Sequence, residues 1–122
     1  MVDAAALADR LGFRLSVVRD AEGVCVASAH RLANGDRFGP PFPADSEEEA
    51  AARLVVWLEW QHDHTAALSA LQEAEAVYHR LAVKAFAGEG SSHRADVQAA
   101  LASLEAARRT LDAIRERYPW PS

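Results

Sequence analysis

Between Ala44 and Ala87 the chain holds neither glycine nor proline, and apolar residues recur there at a seven-residue spacing. Trp57, Trp60, His64, Ala67, Leu71, Ala74, Tyr78, Leu81 and Ala85 follow one another in steps of three and four, which is one continuous stripe along a helix. At about 1.5 Å rise per residue, a helix of roughly 40 residues is about 60 Å long. A domain of this size cannot cover such a rod from end to end. The stripe must be covered by the rest of the chain or by a second copy.

The ends of this helix are marked. Ser46 and Glu49 have the spacing of a capping box, and Glu47, Glu48 and Glu49 set negative charge at the positive end of the helix dipole. One weak point interrupts the run, at Gln61-His62-Asp63-His64-Thr65, where Asp63 or Thr65 could cap a fresh helix; straight helix and hinge both remain open. Gly88-Glu89-Gly90-Ser91-Ser92 ends the run as an inter-helix loop. A last helix is expected over roughly residues 93–117, with Val97, Ala100, Leu104, Ala107, Leu111, Ile114 and Tyr118 on a second seam, Leu101 widening it, and Pro119 and Pro121 stopping it. Two striped helices joined by a short loop pack most economically as an antiparallel hairpin. A two-helix hairpin is marginal alone, and Val77, Val83, Phe86 and Leu101 lie partly off the seams, so the pair is expected to become four helices by self-association.

Ahead of the long helix the pattern changes. Asp3 reads as the N-cap of a short helix over residues 4–11, stopped by Gly12. Phe13, Leu15 and Val17 alternate with polar neighbours as in a half-buried strand. Asp20–Gly23 is a turn, and Val24, Val26, Ser28, His30 and Leu32 continue an alternating second strand. Asn34-Gly35 is a hairpin signal of type I′, a turn that requires positive φ at both residues. A short third strand is expected at Asp36–Phe38, after which Pro40, Pro41 and Pro43 are expected to prevent further pairing. The fold class is therefore α+β: a small N-terminal α-β-β-β unit packed on a long helix, followed by an antiparallel α-helical hairpin. The two parts, residues 1–62 and 63–122, are expected to act as one cooperative domain.

Composition narrows function mainly by exclusion. With 50% hydrophobic and 25% charged residues, wholesale disorder is excluded. The net charge of −5 has the wrong sign for a protein that coats nucleic acid. By segment, residues 1–45 carry −1, 46–88 carry −4 and 89–122 carry zero. A single cysteine, Cys25, cannot form an intrachain disulfide and fits a reducing compartment; inside a strand it reads as a small buried hydrophobe. The sequence shows no charged-then-apolar leader and no apolar run near 18 residues, so a cytoplasmic location without membrane contact is expected.

No constellation carries chemistry clearly. Glu59, His62 and Asp63 share a helix face at i, i+3 and i+4, and the Glu-x-x-His element is used by carboxylate-bridged metal bundles. Such sites need two of these elements, and the other pair, Glu75 and His79, has i+4 spacing. His64 lies on the apolar seam and reads as a packed histidine. No serine occupies a nucleophile elbow, Cys25 has no evident base, and Gly88-Glu89-Gly90 follows no strand, so the chain is not read as an enzyme. Arg108, Arg109, Arg115 and Arg117 cluster near the last helix's end, where they favour the negative end of its dipole and can pair with Glu105, Asp112 and Glu116. Trp57 and Trp60 form a wide apolar patch suited to intrachain packing or to a binding hot spot, with Trp120 a further packing partner.

The order helix, strand, strand, strand, helix over residues 3–62 resembles the layout of double-stranded-RNA-binding domains and of several phage-type or antitoxin-type sheet-plus-helix modules. The resemblance implies a fold. Such RNA-binding domains carry lysines at the start of the final helix, where this chain has Glu47, Glu48 and Glu49, which argues against RNA binding. The functional expectation is a non-enzymatic cytosolic interaction or regulatory protein, without cofactor or metal, forming a homodimer or meeting another protein partner. Trp57, Trp60, Leu71, Tyr78, Leu104 and Leu111 are the expected packing or self-association residues. The alternatives are a metal-binding helical-bundle protein or enzyme using Glu59 and His62 across a dimer, and a nucleic-acid-associated regulator using the C-terminal arginines.

Overall fold

A computed structural model describes residues 3–86 and 93–119 of the chain. The Gly88–Ser92 loop and the residues Trp120 and Pro121 lie outside the described residues. The element order is α1 (Ala4–Arg10), β1 (Phe13–Arg19), β2 (Cys25–Arg31), β3 (Arg37–Ala44), α2 (Glu47–Phe86) and α3 (His93–Glu116). The chain divides into two compact units, Met1–His62 and Asp63–Ser122, and α2 contributes to both.

In the first unit, the Asp3 carboxylate caps α1 by accepting from the backbone N–H groups of Ala5 (3.1 Å) and Ala6 (3.4 Å). The strands form an antiparallel sheet in the order β1-β2-β3. The β1–β2 turn closes on Asp20, whose Oδ1 accepts from the N–H groups of Glu22 and Val24, both at 2.9 Å. The second turn differs from the type I′ expectation. No non-glycine residue among the described residues has positive φ, so Asn34 does not adopt it. Instead Gly35 alone does (φ +78°), its N–H bonds to the Arg31 carbonyl, and the Asn34 side chain accepts from the Asp36 N–H at 2.9 Å. This gives a wider loop than a two-residue hairpin.

The third strand also departs from expectation. It runs from Arg37 to Ala44 and pairs at both ends, with Phe38 opposite Ala29 and Phe42 opposite Ala27. Between these pairs the register shifts, and Gly39-Pro40-Pro41 bulge outward opposite Ser28. The prolines are tolerated because β3 is an edge strand, where a missing N–H costs no ladder bond on the open side. Pairing then resumes, with Pro43 opposite Val26 and Ala44 opposite Cys25.

The sheet's buried face is made by small residues on its central strand. Cys25, Ala27 and Ala29 are fully buried, whereas Val26, Ser28 and His30 are half-buried. The larger residues of this face come from the neighbouring strands, Leu15 and Val17 from β1 and Phe38 and Phe42 from β3. Against it lies the first part of α2, in which Ala50, Leu54, Val55, Trp57 and Leu58 are buried. The Trp57 ring lies 5.6 Å from that of Phe38 and 5.9 Å from that of Phe42, and Phe38 stacks on Phe13 at 4.8 Å. Gly39 makes room for this tryptophan: its φ is +76°, and a Cβ there would run into the benzene ring of the Trp57 indole.

Helix α2 starts at Ser46, whose hydroxyl accepts from the Glu49 N–H at 3.1 Å. Glu49 does not complete a reciprocal box; its carboxylate takes the Arg53 guanidinium at 2.9 Å, and Arg53 also donates to the Pro43 carbonyl at 2.8 Å. The helix then continues without a break through Gln61–Thr65, so the possible second start there is not used.

The second unit holds the remainder of α2 and α3. Arg115, near the end of α3, donates through Nε to His64 Nε2 at 3.4 Å, which places the far end of α3 beside the start of this part of α2. The two helices therefore form an antiparallel hairpin. Its buried apolar residues are Ala67 on α2 and Ala100, Leu104, Leu111 and Ile114 on α3. These lie on the two seven-residue seams.

Candidate functional site

The helical arm carries a long run of half-covered apolar residues. Helix α3 has a strong stripe: Ala100, Leu104, Leu111 and Ile114 are buried, Val97 and Ala107 are half-buried, and Arg94, Asp96, Glu105, Arg108, Asp112 and Glu116 face water. The facing part of α2 is different. From Leu68 to Phe86 no residue is buried, although Leu68, Leu71, Ala74, Val77, Tyr78, Leu81, Ala82 and Ala85 are all half-covered. One neighbouring helix shields one side of a rod, and apolar positions on both flanks of the α2 seam stay in contact with water. Val83 and Phe86, off the seam, are 68% and 95% exposed, and Leu101 on α3 is 38% exposed.

The residues expected to pack or self-associate fall in different surroundings. Trp57 is buried in the first unit against Phe38 and Phe42. Trp60 is half-buried. Leu104 and Leu111 are buried in the second unit, at 4% and 2% exposure, while Leu71 and Tyr78 are half-buried on the arm. Tyr78 also meets the neighbouring His79 ring at 6.0 Å.

The residues tested for chemistry form no recognisable centre among the described residues. Glu59, His62 and Asp63 are each exposed, and no group of three His, Cys, Asp or Glu side chains among the described residues could hold a metal ion. Cys25 is a fully buried free thiol. His64 is half-buried and accepts from Arg115, as its place on the seam implies for a packed histidine. Arg108, Arg109, Arg115 and Arg117 are exposed, and among the described residues they make no ion pair to Glu105, Asp112 or Glu116. Their long side chains are solvated, and exposed pairs of this type gain little over water. No helix among the described residues is long and apolar enough to cross a membrane.

Gly39 is the structural residue that pattern reading passed over. Glycine beside prolines signals a loop, and only the α2 tryptophan across from it shows why a side chain is excluded there. No protein-family model, no curated protein and no solved structure matches the chain.

Proposed function

We propose that the chain is a non-enzymatic cytosolic interaction or regulatory protein that self-associates through its helical arm. One observation carries the reading: residues 68–86 of α2, about five turns of helix, carry an apolar seam in which no residue is buried. A helix side that is apolar yet half-wet gains by meeting a copy of itself, because each half-covered leucine or tyrosine still has area to remove from water. Two hairpins that join along the apolar positions beside these seams, Val83, Phe86 and Leu101 among them, make a four-helix bundle, the usual closed solution for paired amphipathic helices. A two-fold contact suits a stripe of this kind, since the same patch serves both partners.

The test is sedimentation equilibrium on the native chain and on the variants Val83→Glu, Phe86→Glu and Leu101→Glu. These side chains are exposed, so the exchanges leave the hairpin's own buried contacts intact. The native chain is expected to sediment at twice its 13.2 kDa mass. A charge placed in the joint is expected to weaken association by about tenfold or more, the equivalent of about 1.4 kcal/mol. A native chain that sediments as a monomer at every concentration refutes the proposal. So does a set of variants that all associate as the native chain does.

A further inference from the structure

The three strands together hold four arginines, one histidine and no carboxylate, although the chain as a whole carries a net charge of −5. The register sorts these side chains. Arg14 stands opposite His30, and His30 stands opposite Arg37, so the three form one row across the sheet on the face away from Trp57. The next row on the same face is Ser16 opposite Ser28. No residue of these two rows is buried. Arg31, by contrast, lies over Phe38 at 4.5 Å on the other face, and Arg19 donates to the Gly23 carbonyl. Arg14, His30 and Arg37 have no side-chain hydrogen bond or ion pair among the described residues.

Arg14 and Arg37 share one row with no counter-charge in it, and a chain with 18 acidic residues has placed none of them in the strands. From this juxtaposition we propose that the open sheet face is a binding site for a small phosphate-bearing ligand. Adjacent strands are about 4.8 Å apart, so Arg14 and Arg37 flank His30 at about 10 Å from one another and can close on one group from opposite sides. Arginine's planar fork pairs with two phosphate oxygens at once, and two such forks match a group carrying close to two negative charges. The imidazole N–H of His30 and the hydroxyls of Ser16 and Ser28 supply donors between the forks. A single-stranded nucleic acid is a poorer fit. Its bases need aromatic platforms, and Phe13, Phe38 and Phe42 all belong to the opposite face.

The experiment is an amide NMR titration of the full chain with inorganic phosphate at constant ionic strength, with acetate and a short thymidine oligonucleotide as parallel arms. Saturable shifts clustered at residues 14–16, 28–30 and 37 are expected with phosphate, at least tenfold weaker in the Arg14→Gln, Arg37→Gln double variant. His30→Gln provides a milder second variant, expected to lose about threefold. Shifts that never saturate, or that saturate equally in both variants, overturn the proposal. Acetate binding as tightly as phosphate at the same residues also overturns it, because the face then reads carboxylate charge. An oligonucleotide that binds these residues more than tenfold tighter than phosphate overturns the small-ligand assignment.

Discussion

Replacing Gly39 by alanine separates two costs that are usually mixed. The residue sits at φ +76°, where a Cβ is strained by about 1–2 kcal/mol. In addition, the new methyl would meet the Trp57 indole, which is 7% exposed and held between Phe38, Phe42 and the sheet, so it has little room to retreat. Overfilling a packed site of this kind costs about 1–3 kcal/mol more. Gly35→Ala is the internal control: its φ is +78°, nearly the same strain, and nothing lies within 4 Å of the added methyl. The two variants share the same gain from a stiffer unfolded chain, so that contribution cancels between them. Urea unfolding followed by far-ultraviolet circular dichroism is the assay. Gly35→Ala is expected to lose about 1–2 kcal/mol and Gly39→Ala roughly 2–5 kcal/mol, at unchanged m. In a Trp57→Leu background the cost of Gly39→Ala is expected to shrink to the strain alone, a coupling that a double-mutant cycle reads directly. Equal losses for the two glycine variants in the native background refute the reasoning.

Three further outcomes follow from the packing. Leu111→Ala removes a side chain that is 2% exposed in the arm and is expected to cost about 2–5 kcal/mol by chemical denaturation; a loss under 1 kcal/mol contradicts the placement of α3. Ser46→Ala deletes the hydroxyl that accepts the Glu49 N–H and is expected to cost about 1 kcal/mol, whereas Ser46→Asp keeps the native midpoint within a few tenths of a kcal/mol. Cys25, fully buried on the central strand, is expected to react with a thiol reagent at least about a hundredfold more slowly in the native protein than in denaturant; rapid native labelling contradicts the sheet's buried face.

Much of the architecture was legible because it is written in local chemistry. Asp3 and Ser46 are side-chain caps, and the stretch free of glycine and proline became α2 almost to the residue. The seams on both arm helices were readable because a period near 3.5 survives over many turns. The sheet was harder. On β2 the alternation of Val24 and Val26 with Cys25 and Ala27 left the core face undecided by size, and it is Trp57 across the interface and Phe38 and Phe42 on β3 that leave space only for Cys25, Ala27 and Ala29. Burial there follows the size of the neighbours, which a strand's own alternation does not contain. Pro40, Pro41 and Pro43 signalled an end to pairing, and only knowing that β3 lies at an edge shows why they are accommodated. The Arg14, His30 and Arg37 row was invisible for the same reason, since the three residues lie far apart in sequence and meet only through strand register.

The proposed self-association requires a second copy to complete the arm's half-covered seam. Hydrogen exchange of the backbone amides of residues 68–86, measured at protein concentrations a hundredfold apart, tests that directly, because cover supplied by association grows with concentration. Protection of these amides is expected to rise with concentration while that of the β2 amides changes little. Equal protection of the arm at both concentrations would contradict the account.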